Sequence, residues 1–596
     1  MPGLIVLRLL PVLVVVSIVI VVLVVRQRSD GTSGAEAGRS HHTLRQVFLY
    51  SSSLLGALLT ASGLSGVLRV ALETFGGRTL VSESERGLAL GLSLTVVGLP
   101  VWVLSWQAAQ RDVQRAFSER NSPARRLYLA ALRGVTLTVA VPSAIRSGLW
   151  LVGAEPYEAR AVAWLLVWGV LWAYHERVAA EVPFGSEHTR RIDRAEVYLA
   201  AMVGIALLAV ALAGILARSL ATLYDAAAGT QTLLAGHPLP FELRPPLVAG
   251  AVGAGLWWWH LLLVGRRDVA SKAWFVYVFL VGVLSGTVTA VVSGSVLLHR
   301  LLAWVLQANH EAATIHFDVV PSALAGLTLG LALWGYHRAL LGEFEPTSPG
   351  VWSGPERVYR YLVAAAGMLT AAGGIATVLM VGLDLAVPGR TLIQAPGGVR
   401  DVIAVGLTLL IIGVPLWSRF WYSIQQRVRD ARSERTALAR RVLIFGAFGG
   451  AIITTVVALS ILLFELFDAL LSGMLRADLI EEQRWSISLL LTAGAVSVHY
   501  ALVLREDRAE APEEAPALTL RELIVVAPQP GSLAVQLRRR LDVQVTAWRR
   551  PDIDASALGE GDLDEIVVRL RQVHTARALL IVGMGGEVEL VPLFQE

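Results

Sequence analysis

Long apolar runs recur along the chain, separated by short polar stretches. Each run has the roughly 20 residues a helix needs to cross the hydrocarbon core of a bilayer. Thirteen such spans are predicted, starting near Leu4, Val47, Gly87, Leu127, Ala161, Val197, Leu247, Ala273, Val319, Leu362, Val402, Val442 and Ser486. The pattern changes after Leu504. REDRAEAPEEAPA (505–517) is charged and rich in Pro and Ala, which reads as a linker. Beyond it ELIVVAP, VQVTAW, ALLIVG and EVELVPL read as strands, with SLAVQLRRRL and LDEIVVRLRQV as amphipathic helices and Ser532 as the N-cap of the first. The expected order is β-α-β-α-β-β, a small soluble α/β domain over 518–596. The fold class is therefore an all-α polytopic membrane protein of about 13 transmembrane helices with a small cytoplasmic C-terminal α/β domain.

The polar stretches alternate in charge. One set holds 26 basic residues, among them Arg26, Arg45, Arg111, Arg126, Arg177, Arg194, Arg266, Lys272, Arg338, Arg357, Arg427 and Arg441. The intervening set holds eight: Arg78, Arg86, Arg160, Arg244, Arg390, Arg400, Arg476 and Arg484. The positive-inside rule places the richer set in the cytoplasm. Thirteen spans then put the N-terminus outside and the C-terminus inside. The first run lacks a basic n-region and carries its positive charge afterwards, which suits a signal anchor; the Ala35-Glu36-Ala37 stretch keeps a cleaved signal peptide as the alternative.

The chain also repeats itself. GLPVWVLSWQAAQRDVQRAFSERNSPARR (98–126) aligns without a gap on GVPLWSRFWYSIQQRVRDARSERTALARR (413–441), with 13 of 29 positions identical. Half that offset lands on GAGLWWWHLLLVGRRDVASKAWFVYV (253–278). This gives three four-span units, 44–193, 194–356 (divergent) and 357–506, between the anchor and basic loop (1–43) and the linker (507–517). Each unit splits into two hairpins, and each hairpin starts with a basic residue before aromatics: Arg45 and Tyr50, Arg126 and Tyr128, Arg194 and Tyr198, Lys272 and Tyr277, Arg357 and Tyr361, Arg441 and Phe445. Two spans per hairpin make these six hairpins parallel repeats about an axis along the membrane normal.

The aromatic starts (RQVFLY, RRLYLA, AEVYLA, ERVYRYL) and the hairpin ends quoted above resemble bacterial membrane proteins built from tandem copies of the domain of unknown function 5671. The resemblance covers about 44–506. It implies a four-span repeat and no catalytic residue.

Composition supports the membrane reading and narrows the chemistry. Apolar residues make up 55% of the chain without counting 54 glycines. Charged residues make up 16%, where soluble domains have about 25%. The absence of cysteine excludes disulfides, thiolate catalysis and Cys-ligated metal. Of 51 basic residues only Lys272 is lysine, the signature of a GC-rich bacterial genome; the plasma membrane is the expected location. The C-terminal domain has 9 Arg against 11 acidic residues, so nucleic acid is not an expected partner. The bilayer is, together with a cytoplasmic or membrane protein bound through 518–596. PQPGS (528–532) lacks the Lys and glycines of a phosphate loop.

Three features invite a chemical reading. Trp172/His175, Trp257/His260 and Trp334/His337, with His499 in the last hairpin, recur where the first and fifth hairpins have Trp102/Trp106 and Trp417/Trp421. The alternatives are an imidazole ring for haem or protons and an aromatic belt at the headgroups; two copies lack the His, which favours the belt, so no cofactor is expected. Arg69/Glu73, Arg146, Arg218/Asp225, His299/Arg300, Asp384 and Glu465/Asp468 lie at the opposite ends of the hairpins, and Glu465 and Asp468 are the deepest candidates for an ion or proton pathway. Gly446/Gly450 and the Gly250, Gly253, Gly255 group have the spacing that lets helices approach closely. With no catalytic motif, the leading expectation is a non-enzymatic membrane scaffold, sensor or regulatory component presenting the α/β domain. A transporter or channel using Glu465 and Asp468 is the alternative.

Overall fold

The computed structural model describes residues 36–596 apart from 76–80, 182–186, 230–237, 269–270, 309–310, 343–353, 387–397, 431–433, 436, 473–482, 510–519, 521, 529, 542, 550–559, 572, 574, 584–586 and 594–596. The span expected from Leu4 lies outside the described residues. The other twelve expected spans each coincide with a long helix: α1 (Glu36–Phe75), α2 (Val81–Arg115), α3 (Pro123–Leu151), α4 (Ala159–Ala180), α5 (Glu187–Ala228), α6 (Leu239–Val264), α7 (Lys272–Val305), α8 (Val320–Gly342), α9 (Gly354–Ala386), α10 (Gly398–Asp430), α11 (Leu438–Leu471) and α12 (Arg484–Ala509). Eleven of them are long and apolar enough to cross a membrane by length and composition. The remaining one, α4, has 22 residues, a length of about 33 Å at a helical rise of about 1.5 Å per residue. Trp164, Trp168, Trp172, His175 and Glu176 dilute its aliphatic run. Local chemistry sets some of the boundaries. Pro123 opens α3, where its missing N–H costs nothing, and Ser122 caps the helix by accepting from the Arg125 N–H at 3.4 Å. Two stretches depart from α geometry, Trp258–Val264 in α6 and Tyr277–Val283 in α7, which are π-helical.

The chain divides into two compact bodies, Met1–Ala431 with Ala437–Val496, and Arg432–Thr436 with Ser497–Glu596. In the first, helices pair in sequence order: α1 with α2, α3 with α4, α5 with α6, α7 with α8, and α9 with α10. Each pair packs on the next. α1 meets α3 and α4, α3 meets α5 and α6, α5 meets α7 and α8, α7 meets α9 and α10, and α9 meets α11. Such nearest-neighbour stacking is the logic of a repeat array.

Glycine sets how closely the helices of a pair cross. A methyl group added to Gly56 of α1 would lie 2.5 Å from the Trp102 backbone nitrogen of α2. Gly204 and Trp257, Gly286 and Trp334, and Gly367 and Trp417 repeat this contact at 2.5, 2.6 and 2.5 Å. The α3–α4 pair is built differently, since Gly134 and Gly169 face open space. The expected close approach at Gly446/Gly450 is not found either: a methyl on either residue meets nothing within 4 Å, and Gly446 borders a cavity instead of a helix backbone. Gly250 and Gly253 do face α5, at 3.0 Å from Ala211 Cβ and 2.7 Å from the Leu208 nitrogen, whereas Gly255 faces open space.

The second body contains β1 (Glu522–Ala527), α13 (Pro530–Leu541), β2 (Gln544–Arg549), α14 (Glu560–Arg571), β3 (Arg577–Val582) and β4 (Val588–Leu593), the order expected. The sheet runs β2-β1-β3-β4, with β1 parallel to β2 and β3, and β4 antiparallel to β3. Alternate strand residues (Leu523, Val525, Leu580, Val582) are buried with Leu537 of α13 and Leu570 of α14 in one core, as period-two patterning requires. α13 begins at Pro530, so Ser532 lies inside its first turn and is not the N-cap; proline is the preferred opener of a helix because it lacks the N–H that would go unpaired there. α12 runs to Ala509, so the first residues of the expected linker are helical.

Candidate functional site

The internal repeat extends to side-chain contacts. Arg125 donates to Gln110 at 3.3 Å and lies 5.6 Å from the Trp106 ring centroid. At the aligned positions of the later copy, Arg440 donates to Gln425 at 3.1 Å and lies 5.9 Å from the Trp421 ring. The same basic residue thus bridges the end of one hairpin to the start of the next in both copies.

The recurring Trp–His positions serve the stacking of hairpins. Trp102 packs on Tyr174 and His175 of the next pair at 6.4 and 6.2 Å. Trp172 packs on Trp259 and His260 at 5.8 and 6.2 Å, and Trp257 on Tyr336 at 5.7 Å. His175, His260 and His337 are at most 1% exposed, so they are seam residues and not members of a lipid-facing aromatic belt. Each is held by its own helix: Nδ1–H donates to the carbonyl four residues back, Leu171, Leu256 and Leu333, at 2.9, 2.8 and 2.8 Å. That fixes Nε2 as the acceptor, and at His175 the Tyr128 hydroxyl donates to it at 3.1 Å. His337 reaches its place because Gly282, in the π-helical stretch of α7, has no side chain; a methyl there would lie 2.1 Å from the ring. The half-buried His499 packs edge-on against Tyr500 at 5.0 Å. The imidazoles occupy separate seams, and among the described residues no cluster of three or more His, Asp or Glu suits a metal ion.

A buried ionic clasp joins α3, α4 and α5, and sequence reading had not singled it out. Arg133 Nη1 lies 2.9 Å from Glu176 Oε2 and its Nη2 3.1 Å from Glu196 Oε2. Arg126 pairs with Asp193 at 3.2 Å, and Trp259 of α6 donates to Glu176 at 3.4 Å. All five charged side chains are buried. Three carboxylates against two guanidiniums make a clasp that tolerates loss of no cation, because removing one strands desolvated negative charge. The available signal was Arg133 itself, a cation well inside the apolar run of α3. Simpler clasps recur at the same Arg-rich end: Arg45 with Asp112 at 2.9 Å, and Arg194 bidentate on Asp268 at 2.8 and 2.7 Å, where Ser271 also donates at 2.7 Å.

At the opposite end the expected ionisable residues are mostly paired. Arg69 meets Glu73 at 3.4 Å, Arg146 meets Glu158 at 2.9 Å, His299 meets Asp401 at 3.7 Å, and the buried Asp384 meets Arg484 at 3.0 Å. Arg218 donates to the Gly214 carbonyl at 3.1 Å. Glu465 is half-buried and Asp468 exposed on α11. Neither lines either of two apolar cavities. One, of about 490 Å³, lies between α1, α2 and α4 against Trp102 and Tyr174. The other, of about 760 Å³, lies between α7, α9 and α11.

Stacked helical hairpins, polar groups paired at both ends and apolar cavities between define a multi-pass, all-helical membrane protein with a small α/β domain. Residues 46–156 and 357–495 match the family model Domain of unknown function (DUF5671), two copies in one chain, so over those residues the chain is similar to tandem-repeat proteins of that family. The first match covers α1 to α3; the second runs from α9 into α12. No curated protein and no solved structure matches the chain.

Proposed function

We propose that the protein is a non-enzymatic scaffold or sensor of the bacterial plasma membrane. Its three four-span units hold the α/β domain at the cytoplasmic face, with the N-terminus outside and the C-terminus inside. The observation that carries this reading is the use made of the buried polar groups. The guanidinium–carboxylate clasps and the buried His175 tie helix to helix, and two cavities between helices are lined almost wholly by apolar side chains. A transport pathway needs polar groups facing a hydrated route. The α/β domain, near-neutral and without a catalytic motif in its sequence, suits a protein partner.

The test is affinity capture from solubilised membranes with the full chain and with a chain ending at Ala509. A partner retained only by the full chain is the expected outcome. Capture of nothing by either form counts against the reading. Solute flux in proteoliposomes that disappears in Glu465→Gln would replace it with transport.

A further inference from the structure

The cavity between α7, α9 and α11 has a counterpart in the first repeat copy that is filled with side chains. On α11, Leu443 and Ala447 stand where α3 of the first copy has Tyr128 and Leu132, and Gly446 stands where it has Ala131. On α9, the run ERVYRYLVAAAG (356–367) corresponds to RQVFLYSSSLLG (45–56) of α1, so Arg357 replaces Gln46 and Ala365 replaces Leu54. In the first copy Tyr128 and Leu132 are fully buried in one cluster with Tyr50, Leu54 and Leu129, and Trp168 of α4 closes it. In the later copy the smaller side chains leave a cavity of about 760 Å³, lined by Ala365, Leu443, Gly446 and Ala447. That volume falls in the range of about 300–1,000 Å³ typical of ligand sites.

The shape and charge of this cavity suit one occupant. Arg357 is the one charged residue among those lining it, and it stands at the Arg-rich end. Arg357 and Leu369 both line it from α9, and they are separated by about 18 Å at a helical rise of about 1.5 Å per residue. This matches about half of a hydrocarbon core about 30 Å thick, the depth of one leaflet. Gly354 and Pro355 at the start of α9, and Leu438 and Ala439 at the start of α11, line the same rim. Two helix N-termini with their positive dipole ends there reinforce the guanidinium. We infer that this groove is a binding site for an anionic diacyl phospholipid, with its phosphate at Arg357 and an acyl chain along α9 and α11. Basic pockets between membrane helices on the cytoplasmic side take such headgroups. The site stands independently of whether the α/β domain binds a partner.

The experiment is native mass spectrometry of the full chain released from nanodiscs of equal dioleoyl-phosphatidylglycerol and dioleoyl-phosphatidylcholine. The unmodified chain retains phosphatidylglycerol in preference. Arg357→Gln lowers that preference about fivefold, the effect of one basic residue at a membrane surface. Leu443→Tyr combined with Ala447→Leu, which restores the side chains of the first copy, lowers retention of both lipids at unchanged helix content. Equal retention of the two lipids by the unmodified chain overturns the proposal, as does unchanged retention in the filled-groove variant. A concentration-dependent dimer that the filled-groove variant abolishes assigns the groove to a second copy instead. If that variant does not fold, the lipid ratio of Arg357→Gln decides alone.

Discussion

The seam between α1 and α3 and the seam between α9 and α11 occupy corresponding places in two copies of one repeat, yet the first is packed shut and the second is open. Both begin from the same contact, an arginine over a tryptophan with a glutamine beside it. They diverge one turn further on. Tyr128 and Leu132 fill the first seam, and Arg133 then ties it to α4 through Glu176 and to the following pair through Glu196. In the later copy Leu443, Ala447 and Phe448 take those three places. The backbone register of the repeat therefore does not decide whether a seam is solid. A few side-chain volumes and one buried cation do.

The comparison is broken most severely at the cation. Arg133→Phe gives the first copy the residue of the later one and strands two buried carboxylates; a loss of about 3–5 kcal/mol is expected, read as a lowered unfolding midpoint in detergent. Next is the glycine crossing. Gly56→Leu drives a side chain into the Trp102 backbone and costs about 1–3 kcal/mol, whereas Gly446→Leu, facing open space, stays within about 0.5 kcal/mol. Tyr128→Leu opens the first seam as the later one is open. It loses the hydrogen bond to His175 and aromatic packing, together about 1–2 kcal/mol, and a bound lipid appearing in native spectra of that variant would show that volume alone makes the site. The smallest effect is expected at Glu465→Gln, within about 0.5 kcal/mol and without change in solute flux; a larger shift in either would give α11 a role that its open faces do not suggest.

Much of this was legible in the sequence. Apolar run lengths locate twelve described helices, and the aligned Pro100/Pro415 and Trp106/Trp421 fix a register that the Arg125 and Arg440 contacts reproduce. Strand alternation gives the order of the α/β domain. The rest depends on partners distant along the chain. Arg133 reads as one more arginine until α5, two helices further on, brings Glu196 against it. Gly56 and Gly446 are the same residue in similar apolar settings, and only the α2 backbone against one, and a cavity beside the other, separates a crossing point from an open position. The histidines read as headgroup-level residues because their helices end nearby; their burial comes from helices packed against them, in their own hairpin and in the neighbouring one.

Because each helical pair packs chiefly on its immediate neighbours, no early part waits on more than the next pair to be completed. As successive pairs leave the translocation machinery, each meets a finished surface on which to settle. A polypeptide halted after any even number of helices, counted from α1, would keep most of what it had already assembled, and whole pairs could be gained or lost over evolutionary time with only the two flanking surfaces to mend.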